Sequence, residues 1–390
     1  MTEPSSPPAP PATTPGPVTV AQRITSLDTI RGIAILGILP MNALIFGLDN
    51  AAYNNLSADG LDTFLDWVIG VLTLLFIEQK MMALFSLLFG VGVVIFADRA
   101  AAKGRRVVWL SLWRFALLLA VGIVHARFWV GDILVVYALC APVVLPVRRL
   151  PTGVLATAGV VLALAGTMAA PFVQGTVGPD GAGLGEYWFA GGEEMSVAVG
   201  SWFGLDAVGR ALGLMLIGVV LYRLGVVQGD REDAYYRRLA GWGLTVGTTI
   251  TVVGIVIRSL SDWSPDVALV GHIPTGVGTI PMALGYLAVI VLFDRSGSRY
   301  LERFRNAGRM ALTNYLTQTI LGLTMLGWLL ADIDLTRTMI AVWIVGVWAL
   351  QLWWSTAWLT RYRYGPFEWA WRTATYRSRQ PLRRPRTAST

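Results

Sequence analysis

The 390 residues are 55% hydrophobic and only 14% charged, with a mean hydropathy of +0.58, which excludes an ordinary soluble globular protein and predicts an all-α polytopic membrane protein. A single cysteine, Cys140, lies inside an apolar run and excludes a disulfide scaffold. The net charge of +7 leaves a nucleic-acid partner open until the charges are placed along the chain.

Residues 1–22 are rich in Pro, Ala, Thr and Ser and lack Lys and Arg, so they are expected to form a disordered cytoplasmic tail and not a signal peptide. A single transmembrane domain is expected over 23–371, followed by a loose basic cytoplasmic tail over 372–390. A spanning helix needs about 20 mainly apolar residues. Ten runs qualify: 30–48, 80–97, 108–128, 131–147, 152–173, 205–222, 239–258, 274–293, 310–330 and 338–359. One further run, 61–79, is punctuated by Asp62, Asp66 and Glu78. Ten crossings with a cytoplasmic N-terminus put 24 of the 31 Lys and Arg inside, whereas the outer segments 49–63, 174–204 and 331–336 hold none. This satisfies the positive-inside rule with both termini cytoplasmic. An eleventh crossing would reverse the pattern after residue 79, so 61–79 reads as an interfacial or re-entrant helix on the outer face. The basic excess then orients the protein and meets anionic lipid headgroups; no nucleic acid is expected. The outer loop 174–204, with Glu186 to Phe189 between glycine-rich ends, suits either a substrate-contacting lid or a flexible connector.

Ionisable groups inside spans are expensive and therefore mark candidate sites. The first group falls at the outer ends of the spans. His125, Arg127 and Asp132 flank a tight turn between two helices, Glu78 and Lys80 lie at similar depth, and His272 precedes the span from 274. Histidine titrates near neutrality and serves as a general base when a carboxylate orients it, so His125 and Asp132 are the candidate catalytic pair; closure of the turn by hydrogen bonds is the plain alternative. Glu78, Lys80, Arg127 and His272 are candidate substrate contacts. The second group lies towards the cytoplasm: Asp28 begins the first span, Arg31 shares its face, and Arg114 lies about two turns into its own span. The third is the dense polar run from Asn306 to Thr319, in which Arg309 leads, Asn314 and Gln318 share a helical face, and Tyr315 lies beside it. Such a span faces a partner helix or a polar cavity. Asn42 stands alone in the outer half of the first span. Two histidines and scattered carboxylates give no metal-ligand spacing, and no phosphate-binding loop ending in Gly-Lys-Ser/Thr occurs.

These residues fall in an order that resembles a YeiB-like bacterial inner-membrane family, the family catalogued as domain of unknown function 418. The resemblance runs from residue 24 to about 375. It is carried by Leu27-Asp28 with Arg31-Gly32 and Asn42, Leu84-Phe85 to Gly90, His125 with Gly131-Asp132 and Tyr137-Ala138, Met215 to Gly218, Gly308-Arg309 to Asn314-Tyr315, and Gly365 to Trp369. The opening Leu-Asp-x-x-Arg-Gly is also similar to the start of a wider group of transmembrane acyltransferases, which includes lysosomal heparan-glucosaminide acetyltransferases and bacterial O-acyltransferases. That similarity implies transfer of an acyl group from a cytoplasmic acyl-CoA to an extracytoplasmic sugar, lipid or cell-envelope glycan. On this reading His125, Asp132 and Asn314 are catalytic. Tyr315 and Gln318 contact the substrate with Asn42, and Arg31, Arg114 and Arg309 hold the CoA phosphates. Two other classes stay open: a proton-coupled transporter or lipid flippase using the same buried groups, and a non-catalytic scaffold or sensor. Replacing His125 separates an enzyme from a scaffold.

Overall fold

A computed structural model describes residues 24–384, and among them the regular structure is all helical apart from one antiparallel bridge between Tyr362 and Arg383. The expected tail over 1–22, Arg23 and Arg386 lie outside the described residues. The helices are α1 (Thr25–Gly47), α2 (Phe64–Phe76), α3 (Lys80–Ala102), α4 (Val107–Ala126), α5 (Leu134–Val147), α6 (Thr152–Gln174) and α7 (Val197–Arg223). They continue as α8 (Asp233–Leu260), α9 (Ile273–Arg295), α10 (Leu301–Arg309), α11 (Ala311–Thr324), α12 (Arg337–Arg361) and α13 (Pro366–Tyr376). Eight helical stretches are long and apolar enough to cross a membrane, with Phe64–Ala102 taken as one, and the chain is a multi-pass membrane protein. Its lipid-facing character is explicit on α4 and α12, where Val108, Trp109, Val342 and Trp353 expose apolar side chains outward.

Side-chain bonds fix which helix ends meet. Thr29 at the start of α1 donates to Asp294 at the end of α9 (2.5 Å), and Arg223 at the end of α7 donates to the Leu150 carbonyl just before α6 (2.6 Å). At the other end, Gln174 closing α6 donates to the Pro265 carbonyl (3.0 Å), and Arg337 opening α12 donates to the Ala52 carbonyl (3.1 Å). The helices therefore alternate in direction. One end of the bundle gathers the arginine-rich segments and the other the carboxylate-rich loops; we call them the basic end and the acidic end.

Each expected span coincides with a helix, with three differences of detail. Run 310–330 is broken: α10 stops at Met310, α11 follows, and Met325–Leu329 closes it as a π-helical turn. Run 131–147 starts helix only at Leu134, because Gly131 to Ile133 form the turn; its 14 residues rise about 21 Å, less than the bilayer core. Run 61–79 contains α2, whose 13 residues are likewise too short to span. Thr63 and Asp66 cap it reciprocally, and Asp66 also accepts from the Thr338 backbone N–H (2.7 Å), tying α2 to the start of α12.

The tail expected to be loose from Arg372 is packed. α13 continues to Tyr376, Trp371 Nε1 donates to the Arg114 carbonyl, and the Arg363 N–H donates to the Leu382 carbonyl. The outer loop is also packed: Trp188 is fully buried, with its indole N–H on the Trp263 carbonyl (3.1 Å) and its carbonyl accepting from Asn55 (3.0 Å).

Where α1 crosses α10, Gly32 and Gly308 bring the backbones together so closely that a Cβ on Gly308 would sit 2.0 Å from the Asp28 carbonyl oxygen. Gly90 and Gly218 do the same between α3 and α7. Lipid tails give apolar side chains no reason to prefer one another, so close backbone approach at small residues supplies the packing.

Candidate functional site

His125 lies in the last turn of α4, and Asp132 two residues before α5. Gly122 lets the two helices approach until its would-be Cβ lies 2.8 Å from the Val135 nitrogen, which brings the two side chains together. His125 Nδ1 is 2.7 Å from Asp132 Oδ1, and Asp132 Oδ2 accepts from the Val135 N–H (2.8 Å), satisfying the opening of α5. With Nδ1 turned to the carboxylate, Nε2 is the lone-pair nitrogen, and it meets the Thr319 hydroxyl at 2.9 Å. Tyr315 and Trp129 enclose the ring at centroid distances of 5.1 and 5.7 Å. The Tyr315 hydroxyl accepts from the Ile133 N–H (3.4 Å) and so keeps its own proton to donate.

Tyr315 is also part of the lining of a cavity of about 290 Å³ that runs towards the basic end. Its deep part is apolar, walled by Ile35, Ile38, Phe85, Phe89 and Leu118; its mouth carries Arg31, Arg99, Arg114, Arg309 and Arg372 against Asp28 and Glu368. Arg31 pairs with Asp28 at 3.3 Å, as the three-residue spacing on one helical face requires. Arg114 is sandwiched between Phe96 and Trp371, 4.4 and 4.0 Å from the ring centroids, so α13 closes one side of the mouth through a cation–π stack. Glu368 on α13 is half-buried and accepts from the Thr313 hydroxyl (2.6 Å) and backbone N–H (3.0 Å). Burial pushes its carboxyl above the ordinary range despite those bonds.

A second cavity, about 70 Å³, lies towards the acidic end and is lined by Tyr53, Asn54, Gln79, Asp206, Arg210 and His272 among others. Glu78 and Lys80 lie beside it, fully buried: Glu78 Oε1 is 3.5 Å from His272 Nδ1, and Lys80 Nζ donates to the Leu74 carbonyl (2.7 Å), closing the corner between α2 and α3. Gln79 holds that corner with φ of 61°, a left-handed conformation uncommon for a residue with a side chain. The two cavities are separated by a thin layer of side chains. Tyr137 lines the larger one, with its hydroxyl 2.8 Å from Ser86 Oγ and 3.5 Å from the carbonyl oxygen of Met82, and Met82 lines the smaller.

The expected site residues therefore divide among several places. Arg31, Arg114, Arg309 and Tyr315 share the large cavity, and His125 with Asp132 stands behind Tyr315. Glu78, Lys80 and His272 form a separate centre, whereas His125 bonds to Asp132 and Thr319. Asn314 and Gln318 line neither cavity. Asn314 donates to the Ala307 carbonyl and Ser355 (both 3.1 Å) and accepts from Trp354 Nε1; Gln318 donates to the Ile35 carbonyl and to Gln351 (2.9 Å). Those amides hold α11 against α1 and α12. Arg127 is exposed and Asn42 buried, and neither lines a cavity. Sequence reasoning did not single out Thr319, Asp206, Arg210 or Arg258. Tyr315 and Thr319 form an i, i+4 pair one residue on from Asn314 and Gln318, and it is this second face that meets His125.

A family model described as "Protein of unknown function (DUF418)" matches residues 221–378. Uncharacterized protein YeiB of Escherichia coli (strain K12) is 32% identical over an alignment that covers 92% of this chain and 98% of that protein. The chain belongs to the DUF418 family. Uncharacterized protein YxaH of Bacillus subtilis (strain 168) is 28% identical, covering 94% of this chain and 97% of its own. An uncharacterized 39.9 kDa protein from Bacillus acidopullulyticus is 26% identical, with 94% and 97% coverage. No solved structure matches this DUF418 chain. The likeness to these relatives extends over more than nine-tenths of the chain, beyond the 221–378 segment matched by the family model.

Proposed function

We propose that the protein is a transmembrane acyltransferase of the bacterial inner membrane, with the basic end cytoplasmic and an acyl-CoA donor entering there. The observation that carries this reading is the large cavity: a mouth of five arginines leads into an apolar shaft that ends at Tyr315, whose ring lies against the His125–Asp132 pair. Arginines suit the CoA phosphates and the shaft suits the uncharged pantetheine arm and acyl chain. The acceptor is a hydroxyl on an extracytoplasmic sugar, lipid or envelope glycan.

The steps follow from the groups in place. His125 Nε2 releases the Thr319 hydroxyl and takes the proton of the acceptor hydroxyl, whose oxygen attacks the thioester carbonyl carbon. Asp132 stabilises the imidazolium that forms. The Tyr315 phenol donates to the carbonyl oxygen as charge builds on it. Cleavage of the C–S bond then returns the proton from the imidazolium to the CoA thiolate, giving an acyl ester and free CoA. His125→Ala is expected to lower turnover by about 10²–10⁴ while CoA binding is retained. Purified protein that consumes no acyl-CoA with envelope hydroxyl acceptors and shows no heat on CoA titration overturns the proposal. The second reading, a proton-coupled transporter or lipid flippase, rests on the two cavities that approach a thin layer from opposite ends; substrate counterflow in vesicles, unaffected by acyl-CoA, favours it.

A further inference from the structure

The small cavity at the acidic end has a charge pattern that acyl transfer does not explain. Asp206 and Arg210, one turn apart on α7, pair on its wall, and Arg210 Nη2 also reaches Thr167 Oγ1 (3.3 Å). Behind His272 lie Glu78, Lys80 and Arg258, none of them exposed. The groups facing the cavity and its back wall thus comprise three cations and two carboxylates, with His272 counted as uncharged. A buried positive surplus is costly unless an anion or oriented dipoles compensate it.

The hydrogen bonding of the same cluster is incomplete. Arg210 Nη1, Arg258 Nε and both Glu78 oxygens are buried without a hydrogen-bond partner among the described residues. The bonds Arg258 does make, to His272, Thr275 and the Asn54 carbonyl, are all 3.4–3.5 Å long. Buried polar groups in native proteins are almost always satisfied, and exceptions mark ligand or water sites. Arg210 is 6% exposed and forms part of the wall, so its unmatched donor lies beside the space where a ligand fits. A water occupies about 10–15 Å³ by the same measure. The 70 Å³ available therefore holds about five waters or one small polar solute, not a lipid chain.

We propose that this cavity binds a short hydroxycarboxylate carrying one negative charge, whose carboxylate meets the free edge of the Arg210 guanidinium. Arginine presents paired N–H donors that match a carboxylate. Tyr53, Asn54 and His272 supply partners for the hydroxyls, and the Tyr187 and Trp202 rings close the apolar sides. A single negative charge neutralises the surplus, whereas a neutral polyol leaves it and a dianion reverses it. The proposal stands apart from acyl transfer: CoA binding or its absence has no bearing on it.

The test is calorimetric titration of the full chain in nanodiscs of zwitterionic lipid with D-glycerate, using glycerol and malonate as neutral and dianionic controls. Saturable glycerate binding is expected, at least tenfold tighter than either control. Arg210→Gln is expected to weaken it at least tenfold. Ala207→Phe, which fills the wall from a half-buried position and removes no hydrogen bond, is expected to abolish it with thermal stability retained, so the test holds even if the Arg210 variant fails to fold. Absence of saturable glycerate binding, equal binding of glycerol, or full binding in Ala207→Phe overturns the assignment.

Discussion

The crossing of α1 and α10 offers a measurement in which geometry fixes the expected size of the effect. A methyl group on Gly308 would sit 2.0 Å from the Asp28 carbonyl oxygen and 2.7 Å from the Gly32 nitrogen; against ordinary contact at 3.4 Å it is short by 1.4 Å, and both obstacles are backbone. Gly308→Ala must therefore push two helices apart. Overpacking of this kind costs about 1–3 kcal/mol, and the shortfall puts the site at the upper end. Replacing glycine by alanine within a helix returns roughly 0.5–1 kcal/mol, which leaves a net loss of about 2 kcal/mol. With about 2–4 °C per kcal/mol for a domain of 150–250 residues, Tm is expected to fall by up to about 8 °C, less for a longer chain. Tryptophan fluorescence during heating in detergent reads this directly. Gly92 is the matched control, because it lines the same large cavity and a Cβ there meets nothing within 4 Å. Gly92→Ala should leave Tm unchanged or raised. CoA binding should also weaken in Gly308→Ala, since Arg31 and Arg309 flank the displaced crossing. Equal Tm values for the two variants would refute the packing argument.

Four further outcomes are expected. Asp132→Asn should lower acyl transfer by about 10²–10⁴ with CoA binding intact, because an amide orients the His125 ring without stabilising its charged form; unchanged turnover would remove the pair from the chemistry. Asn314→Leu should cost about 0.6–1.7 kcal/mol of stability yet leave turnover per folded molecule unaltered, as its bonds join α11 to α12; lost activity in a stable variant would return Asn314 to the catalytic list. Glu368 should make stability pH-dependent. Its folded pKa is raised, so its contribution is fully present below the ordinary glutamate range and is lost as pH rises through the folded value. The Tm of wild type relative to Glu368→Gln should accordingly fall between acid and neutral pH, and a constant difference would contradict it. Trp371→Ala should weaken CoA binding by about 2–30-fold through loss of the stack on Arg114, about 0.5–2 kcal/mol, and speed proteolysis of α13; a variant with native affinity would detach α13 from the mouth.

Spans and their order were legible because each crossing needs a long apolar run, and that requirement leaves its mark residue by residue. The shortness of α2 was legible from the carboxylates Asp62, Asp66 and Glu78 that bound its apolar run. The His125–Asp132 contact was legible because a tight turn brings neighbouring helix ends together. Longer-range partners were not. Thr319 lies 194 residues from His125, and Trp371 lies 257 from Arg114; nothing local dictates either pairing. The face of α11 was misjudged between two i, i+4 pairs one residue apart, since either polar face satisfies the same periodicity and only the crossing of α1 and α12 decides. Arg210 and Arg258 fall inside the expected spans 205–222 and 239–258, and the rule that ionisable groups are expensive there points to them as it does to Arg31 and Arg114.

The layer formed by Met82, Ser86 and Tyr137 sets what kind of traffic the protein permits. Two recesses that stop short of each other are parted by packed side chains, so anything that passes from one to the other requires those side chains to move. The Tyr137 hydroxyl pins that partition, bonded to Ser86 Oγ and the Met82 carbonyl across the gap between α5 and α3, so any passage has to break those two bonds first.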